Sequence, residues 1–232
     1  MPSLQGALRR LSNSLKFGRF DHRSVFSHIY KSRYWGDHES VSGLGSRMTQ
    51  TENIRAQLPE IIEKYAVKTF FDAPCGDLNW MRSVLEAVQV DYIGGDIVPE
   101  VVERARQNSP NPAARFMQFD IIEDPFPAAD LWLCRDVLFH LSFANIWSAL
   151  RNFCNSSIPL MLVTTHTDSS VPNRNIVTGD FRYIDLFKPP FSLPASIVLE
   201  RFPDFAPPAP ARDMILIRRD ALATHLESRT RA

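Results

Sequence analysis

Thr69-Phe-Phe-Asp-Ala-Pro-Cys-Gly-Asp-Leu-Asn-Trp80 is the stretch on which the fold turns. It opens as a short apolar run that stops on an acid, Asp72. Pro74 and Gly76 then impose a tight turn, and helical patterning resumes near Leu78. Strand, turn and helix in that order present backbone N–H groups to a ligand in α/β proteins. A second apolar run, Val90-Asp-Tyr-Ile-Gly-Gly-Asp96, again stops on an acid.

The same alternation continues outward. The patterning predicts strands over 67–73, 90–96, 115–120, 130–136 and 158–166, with helices over 78–88, 99–108 and 142–155. Helical segments between short apolar strands imply a parallel sheet with crossover helices. Asn108-Ser-Pro-Asn-Pro112 ends one helix cleanly. Upstream, Ile54, Leu58, Ile61, Ile62 and Tyr65 recur at helical spacing over 52–65, with Thr49 or Thr51 as cap and Pro59 expected to bend or split the helix. Downstream, residues 167–194 form a polar, proline-containing excursion, which Phe181, Phe187 and Phe191 would anchor to the body. Two late strands, 195–202 and 213–219, flank the turn-rich Pro203–Pro210.

The ends read differently. Residues 1–20 are basic and weakly amphipathic, fitting a docked terminal helix or one that lies on a surface. Residues 21–48 mix aromatics, charges, serines and glycines, and read as an ordered loop able to cover a site. We therefore divide the chain into an amino-terminal extension and lid (1–48), a main domain (49–220) and a polar tail (221–232).

Composition narrows the class. The 232 residues suffice for one domain, and 44% hydrophobic with 22% charged residues is ordinary for a globular protein. Lys+Arg and Asp+Glu both number 26, so no net charge draws nucleic acid or acidic membranes to the whole surface. A basic stripe for nucleic acid is also lacking. Cys75, Cys134 and Cys154 form no CxxC pair, which favours reduced thiols and a cytoplasmic location. No apolar run approaches a membrane span or a signal-peptide core. His22, His28 and His38 have no compact set of partners, so no metal site is expected. Cys75 in the turn reads as a small packed side chain before a nucleophile.

Ligands of parallel α/β sheets bind at the carboxyl ends of strands. Those ends carry Asp72, Asp96, Asp120, Arg135-Asp136 and Thr164-Thr-His166. Any one acid there is explained as the cap of the next helix. Together along one edge they mark a site.

Asp-Ala-Pro-Cys-Gly-Asp, the acid ending strand two, Phe119-Asp120-Ile121 and Leu133-Cys-Arg-Asp-Val-Leu-Phe-His140 together resemble class I S-adenosylmethionine-dependent methyltransferases over about residues 50–220. The opening segment and the turn also resemble a poorly characterised bacterial subgroup. The usual acidic-x-Gly-x-Gly-x-Gly turn departs here to Pro74, Gly76 and Leu78, keeping only the central glycine. The resemblance implies a single Rossmann-like, doubly wound sheet of about seven strands in the order 3-2-1-4-5-7-6, mostly parallel with an antiparallel late strand. It implies that Asp72, Ala73 and Gly76 wall the methionine part of S-adenosylmethionine. Asp96, with Ile97 beside it, would take the ribose hydroxyls. Asp120 would take the adenine amino group, with Ile121 against the ring. Arg135 and Asp136 would face the methyl group or the acceptor. Arg55, or an aromatic within 30–35, would close over the cofactor.

Methyl transfer is an in-line displacement that needs alignment and exclusion of water, plus a base when the acceptor is a hydroxyl. Asp136, His140, His166 and Asp168 are the candidate bases. Asn173, Asn175, Asp180 and Arg182 make the excursion hydrophilic, which suits a small or glycan-like polar acceptor methylated at oxygen. Two alternatives stand beside this reading. A nicotinamide-dependent or nucleotide-sugar Rossmann enzyme shares the strand-two acid but would want GxGxxG, which is absent. A non-catalytic cofactor-binding homologue is allowed by the degenerate glycines. The oligomeric state is not encoded in any of these features.

Overall fold

The computed structural model describes residues 17–18, 20–35, 37–167, 170–207 and 209–230. The basic segment 1–16 and Asp168 lie outside them. Seven strands form one sheet: β1 (Thr69–Asp72), β2 (Asp91–Asp96), β3 (Arg115–Gln118), β4 (Leu131–Cys134), β5 (Leu160–His166), β6 (Val198–Pro203) and β7 (Arg212–Arg218). Their order is β3-β2-β1-β4-β5-β7-β6, as the resemblance implies. The first five are parallel, and β7 runs antiparallel between β5 and β6. β3 and β4 stop sooner than expected. Asp120, Arg135 and Asp136 therefore stand in the loops just past their strands.

Strand side chains alternate between two cores, as the two-residue repeat of a strand demands. Phe71, Trp132, Cys134, Met161, Val163, Ile215 and Ile217 face one core. Phe70, Leu131, Leu133, Leu162, Met214 and Leu216 face the other. Burial on both faces explains why β4 and β5 read as continuous apolar runs.

Helices cover both faces. They are α1 (His22–Lys31), α2 (Glu52–Lys64), α3 (Met81–Ala87), α4 (Pro99–Asn108), α5 (Phe143–Cys154) and α6 (Arg219–Thr230). Val25, Phe26 and Ile29 of α1 and Ile146, Leu150 and Phe153 of α5 bury on the first face. Ile54, Leu58, Ile61 and Ile62 of α2 and Met81, Val84 and Leu85 of α3 bury on the second. No helix among the described residues is long and apolar enough to cross a membrane.

Four local expectations are corrected. Residues 22–31, read as part of a loop, are a helix whose amino end is capped by the Asp21 side chain accepting from Ser24 N. The segment read as a polar tail is helical to Thr230, and Leu222 is fully buried against the first core. Helix α2 runs unbroken through Pro59, and Thr51 begins it without a side-chain cap. The Thr51 hydroxyl donates back to the Arg47 and Met48 carbonyls instead. Helix α3 starts at Met81 because Leu78 takes a left-handed backbone, φ 60°, and the turn extends past it.

Candidate active site

A cleft opens at the carboxyl ends of β1, β2 and β4. Its walls include Asp72, Gly76, Asp96, Asp120, Arg135, Asp136 and His140, along with Ile97, Ile121 and Ile122. Phe26, Tyr30, Trp35, Val41, Ser42 and Ser46 enclose it from the amino-terminal segment. Most of the residues expected at the site thus share one cavity. Ala73 is fully buried just behind it, its carbonyl accepting from Trp132 Nε1 at 2.8 Å. His166 is not among the lining residues. It is buried, its ring lies against Phe139 and Tyr183, and its Nδ1 accepts from Ile184 N at 3.2 Å.

Each acid has a defined environment. Asp72 is buried and accepts from Tyr92 Oη at 2.7 Å; burial pushes its pKa up to about 7 against that bond, with Asp96 adding to the rise. Asp96 accepts from Val98 N at 3.0 Å and Gly76 N at 3.3 Å, yet burial still raises it to about 6. Asp120 meets His22 Nε2 at 2.5 Å through Oδ2, while its Oδ1 accepts from Ile122 N at 2.9 Å. Burial raises the Cys75 thiol well above its usual range, so it is no nucleophile at neutral pH.

The turn also carries polar contacts to the amino-terminal segment. Asp77 accepts from Ser40 Oγ at 2.7 Å and from Val41 N at 2.9 Å. Asn79 donates to Glu39 at 2.8 Å and to the Ser46 carbonyl at 2.9 Å. The two polar residues of Gly-Asp-Leu-Asn therefore fasten the 39–46 segment over the cleft. Gly76 has φ 57°, and a Cβ there would stand 2.4 Å from Ser42 Oγ. Glycine is required by both backbone and neighbour.

At the far end of the cleft, four charges interlock. Arg135 donates to Asp204 through Nε at 2.7 Å and to the Gly45 carbonyl at 2.9 Å, with its guanidinium 5.2 Å from the Trp80 ring. Arg212 Nη2 holds Asp136 Oδ2 at 3.0 Å. Burial works against the charge of Asp136, but Arg135 and Arg212 outweigh it and hold its pKa below the usual carboxylate range. Both its oxygens are engaged, Oδ2 by the two arginines and Oδ1 by Thr164 Oγ1 at 3.3 Å.

His140 differs. Its Nδ1 sits 2.9 Å from the Asp180 carbonyl, which can only accept, so Nδ1 carries the proton and Nε2 the lone pair. Burial lowers its pKa to about 4, and the ring is neutral at pH 7. Trp35 packs on it at 4.8 Å.

Several residues of the cleft and its surroundings escaped the sequence reading: His22, Phe26, Trp80, Asp204 and Arg212. All but Trp80 lie outside the motif region, and Trp80 was read as helix entry. Arg55 is corrected: it bonds the Met48 carbonyl and does not line the cleft, whereas Tyr30 and Trp35 do. The polarity of the excursion is consumed internally. Asn173 bonds the Asp185 and Pro189 carbonyls, Asn175 accepts from Phe143 N, and Arg182 bonds the Leu138 carbonyl. Phe191 is fully buried, but Phe181 is 38% exposed beside His140. Among the described residues, His22, Asp120 and Glu123 come near enough together to hold a cation. Arg23 bonds Asp120 and Glu123 there, so a guanidinium already fills the role of counter-charge.

Residues 70–157 match the family described as "Methyltransferase domain". A search of curated proteins found no match. Among solved structures, human N-acetylserotonin methyltransferase in complex with SAM is similar at 18% identity and TM-score 0.60, over 91% of this chain and 66% of that one. The mitomycin 7-O-methyltransferase MmcR is similar at 16% and 0.64, over 93% and 69%. The N-methyltransferase NodS from Bradyrhizobium japonicum WM9 is similar at 15% and 0.56, over 75% and 98%. The chain thus spans about two thirds of the length of the first two. Strand order, strand-end cleft and the methyltransferase domain matched over residues 70–157 agree with the class I S-adenosylmethionine-dependent methyltransferase fold that the resemblance implies. The nicotinamide and nucleotide-sugar alternatives give way to the matched domain.

Proposed function

We propose that the cleft holds S-adenosylmethionine and that the protein methylates a hydroxyl of a small polar acceptor, with His140 as general base. The residues present suit the cofactor. Acids at successive strand ends supply acceptors for ribose and adenine, Ile97 and Ile121 supply apolar surface for the ring, and Gly76 keeps the turn close to the ligand. When bound, the cofactor supplies an electrophilic methyl group on a sulfonium.

The chain's own part is alignment, exclusion of water and movement of one proton. Asp96 would hold the ribose and Asp120 the adenine amino group. Asp72 and the turn back the methionine portion. Arg135 and Asp136, locked with Asp204 and Arg212, hold the shape of the reacting end. Trp35 offers an acceptor an apolar face beside His140, and Ser42 and Ser46 line the same cleft. His140 Nε2 takes the acceptor proton as its oxygen attacks.

The observation that carries this reading is the His140 tautomer, fixed by Asp180, in a cleft where Asp136 is neutralised by two arginines. The test is methyl transfer from labelled S-adenosylmethionine to a panel of sugars, polyols and amines. Transfer to a hydroxyl acceptor that falls about 10²–10⁴-fold in His140→Gln supports it. Transfer only to amines, or an unchanged rate in that variant, contradicts it.

A further inference from the structure

Helix α1 lies outside the matched domain, yet it builds part of the cleft. His22, Phe26 and Tyr30 recur at four-residue spacing along one of its faces. Phe26 and Tyr30 line the cleft, and His22 reaches Asp120, which lines it too.

The lone pairs of Asp120 can be assigned one by one. Oδ2 lies 2.5 Å from His22 Nε2 and 3.1 Å from Arg23 Nη2. Oδ1 accepts from Ile122 N at 2.9 Å. An ionised carboxylate offers about four acceptor positions. His22 fills one position on Oδ2, Arg23 lies against the same oxygen as an ion pair while donating to Asp124, and the backbone fills one position on Oδ1. Oδ1 keeps an acceptor position, and Asp120 lines the cleft.

We propose that His22 is a positioning residue for cofactor recognition: with Arg23 as counter-charge it holds Asp120 by Oδ2 and leaves Oδ1 to receive the 6-amino group of the cofactor's adenine. This rests on the reading of the cleft as the S-adenosylmethionine site. It adds that adenine selectivity depends on a helix outside the matched domain. The other end of α1 is tied to α4, where Arg104 donates to Tyr30 Oη at 3.0 Å and Lys31 lies 3.6 Å from Glu100.

The charged groups around His22 are Asp120, Glu123, Arg23 and Asp124. The Asp120 bond raises the proton affinity of His22, opposed by burial and by Arg23. The charged grip is therefore full below the ordinary histidine value of 6.5 and weakens as pH rises through the raised value.

The experiment compares the affinity of the full chain for S-adenosylhomocysteine and for its 6-deamino analogue. Wild type should prefer the amino compound roughly tenfold or more, the scale of a hydrogen bond to a charged acceptor. His22→Ala should cut that ratio at least threefold while still binding both compounds. Arg23→Ala should cut it in the same direction. In wild type the ratio should fall as pH rises above 6.5, through the raised His22 value, a readout that needs no variant to fold. A ratio unchanged by both substitutions and by pH overturns the role of His22 while leaving the cofactor site standing. Failure of wild type to bind either compound overturns the cofactor reading and the proposal together.

Discussion

His140 and Asp72 show how burial sets chemistry one side chain at a time. With its pKa lowered to about 4, His140 keeps its base form well below neutrality. Single-turnover methyl transfer at saturating cofactor should be flat from pH 5 to pH 7. A fall centred near 6.5 would mean an ordinary, exposed histidine or another base. Asp72 shifts the opposite way, from 3.8 to about 7. The unfolded chain ionises it first, so stability is lost as pH rises from about 4 to about 7 and stays level above that. Asp72→Asn removes this penalty, on the order of 4 kcal/mol by the size of the shift. Its melting temperature relative to wild type should climb between pH 5 and pH 8. A pH-independent difference would show that Asp72 ionises normally. The strand-end acids were legible because each stops an apolar run. His22 and Arg212 were not, since their importance lies in partners far away in sequence.

At the scale of elements, the amino-terminal segment and the turn after β1 are one construction. The sequence reading recognised an ordered segment able to cover a site, and the turn, but not that Asp77 and Asn79 join them. Hydrogen bonds between residues some forty positions apart leave no periodicity to read. Asp77→Ala strips the partner from Ser40 Oγ and Val41 N, a loss of about 1–3 kcal/mol. The variant should melt lower and be cut by protease within 37–46 faster than wild type, with S-adenosylhomocysteine slowing the cut. Equal cleavage of both proteins would show that the segment is held by other means. Helices α1 and α6 were missed for a related reason. Each buries a narrow stripe, such as Val25, Phe26 and Ile29 in α1, amid a polar composition that resembles a loop or tail. The stripe gains meaning only from the core it meets.

For the whole molecule, the sheet was legible because its central strands are buried on both faces and cannot hide among polar residues. The order of strands came from a resemblance rather than from periodicity, and pairing confirms it. The cleft follows from that order: β1, β2 and β4 bring Asp72, Asp96, Arg135 and Asp136 to one edge, and the loop beyond β3 adds Asp120. The central claim is that this edge is a nucleoside-cofactor site anchored at Asp96. Calorimetric titration with S-adenosylhomocysteine, with NAD as control, tests it most directly. Wild type should bind S-adenosylhomocysteine and not NAD, and Asp96→Ala should bind about 10–150-fold more weakly, the equivalent of roughly 1.5–3 kcal/mol. No heat with S-adenosylhomocysteine, or equal affinity in the folded variant, would contradict the account.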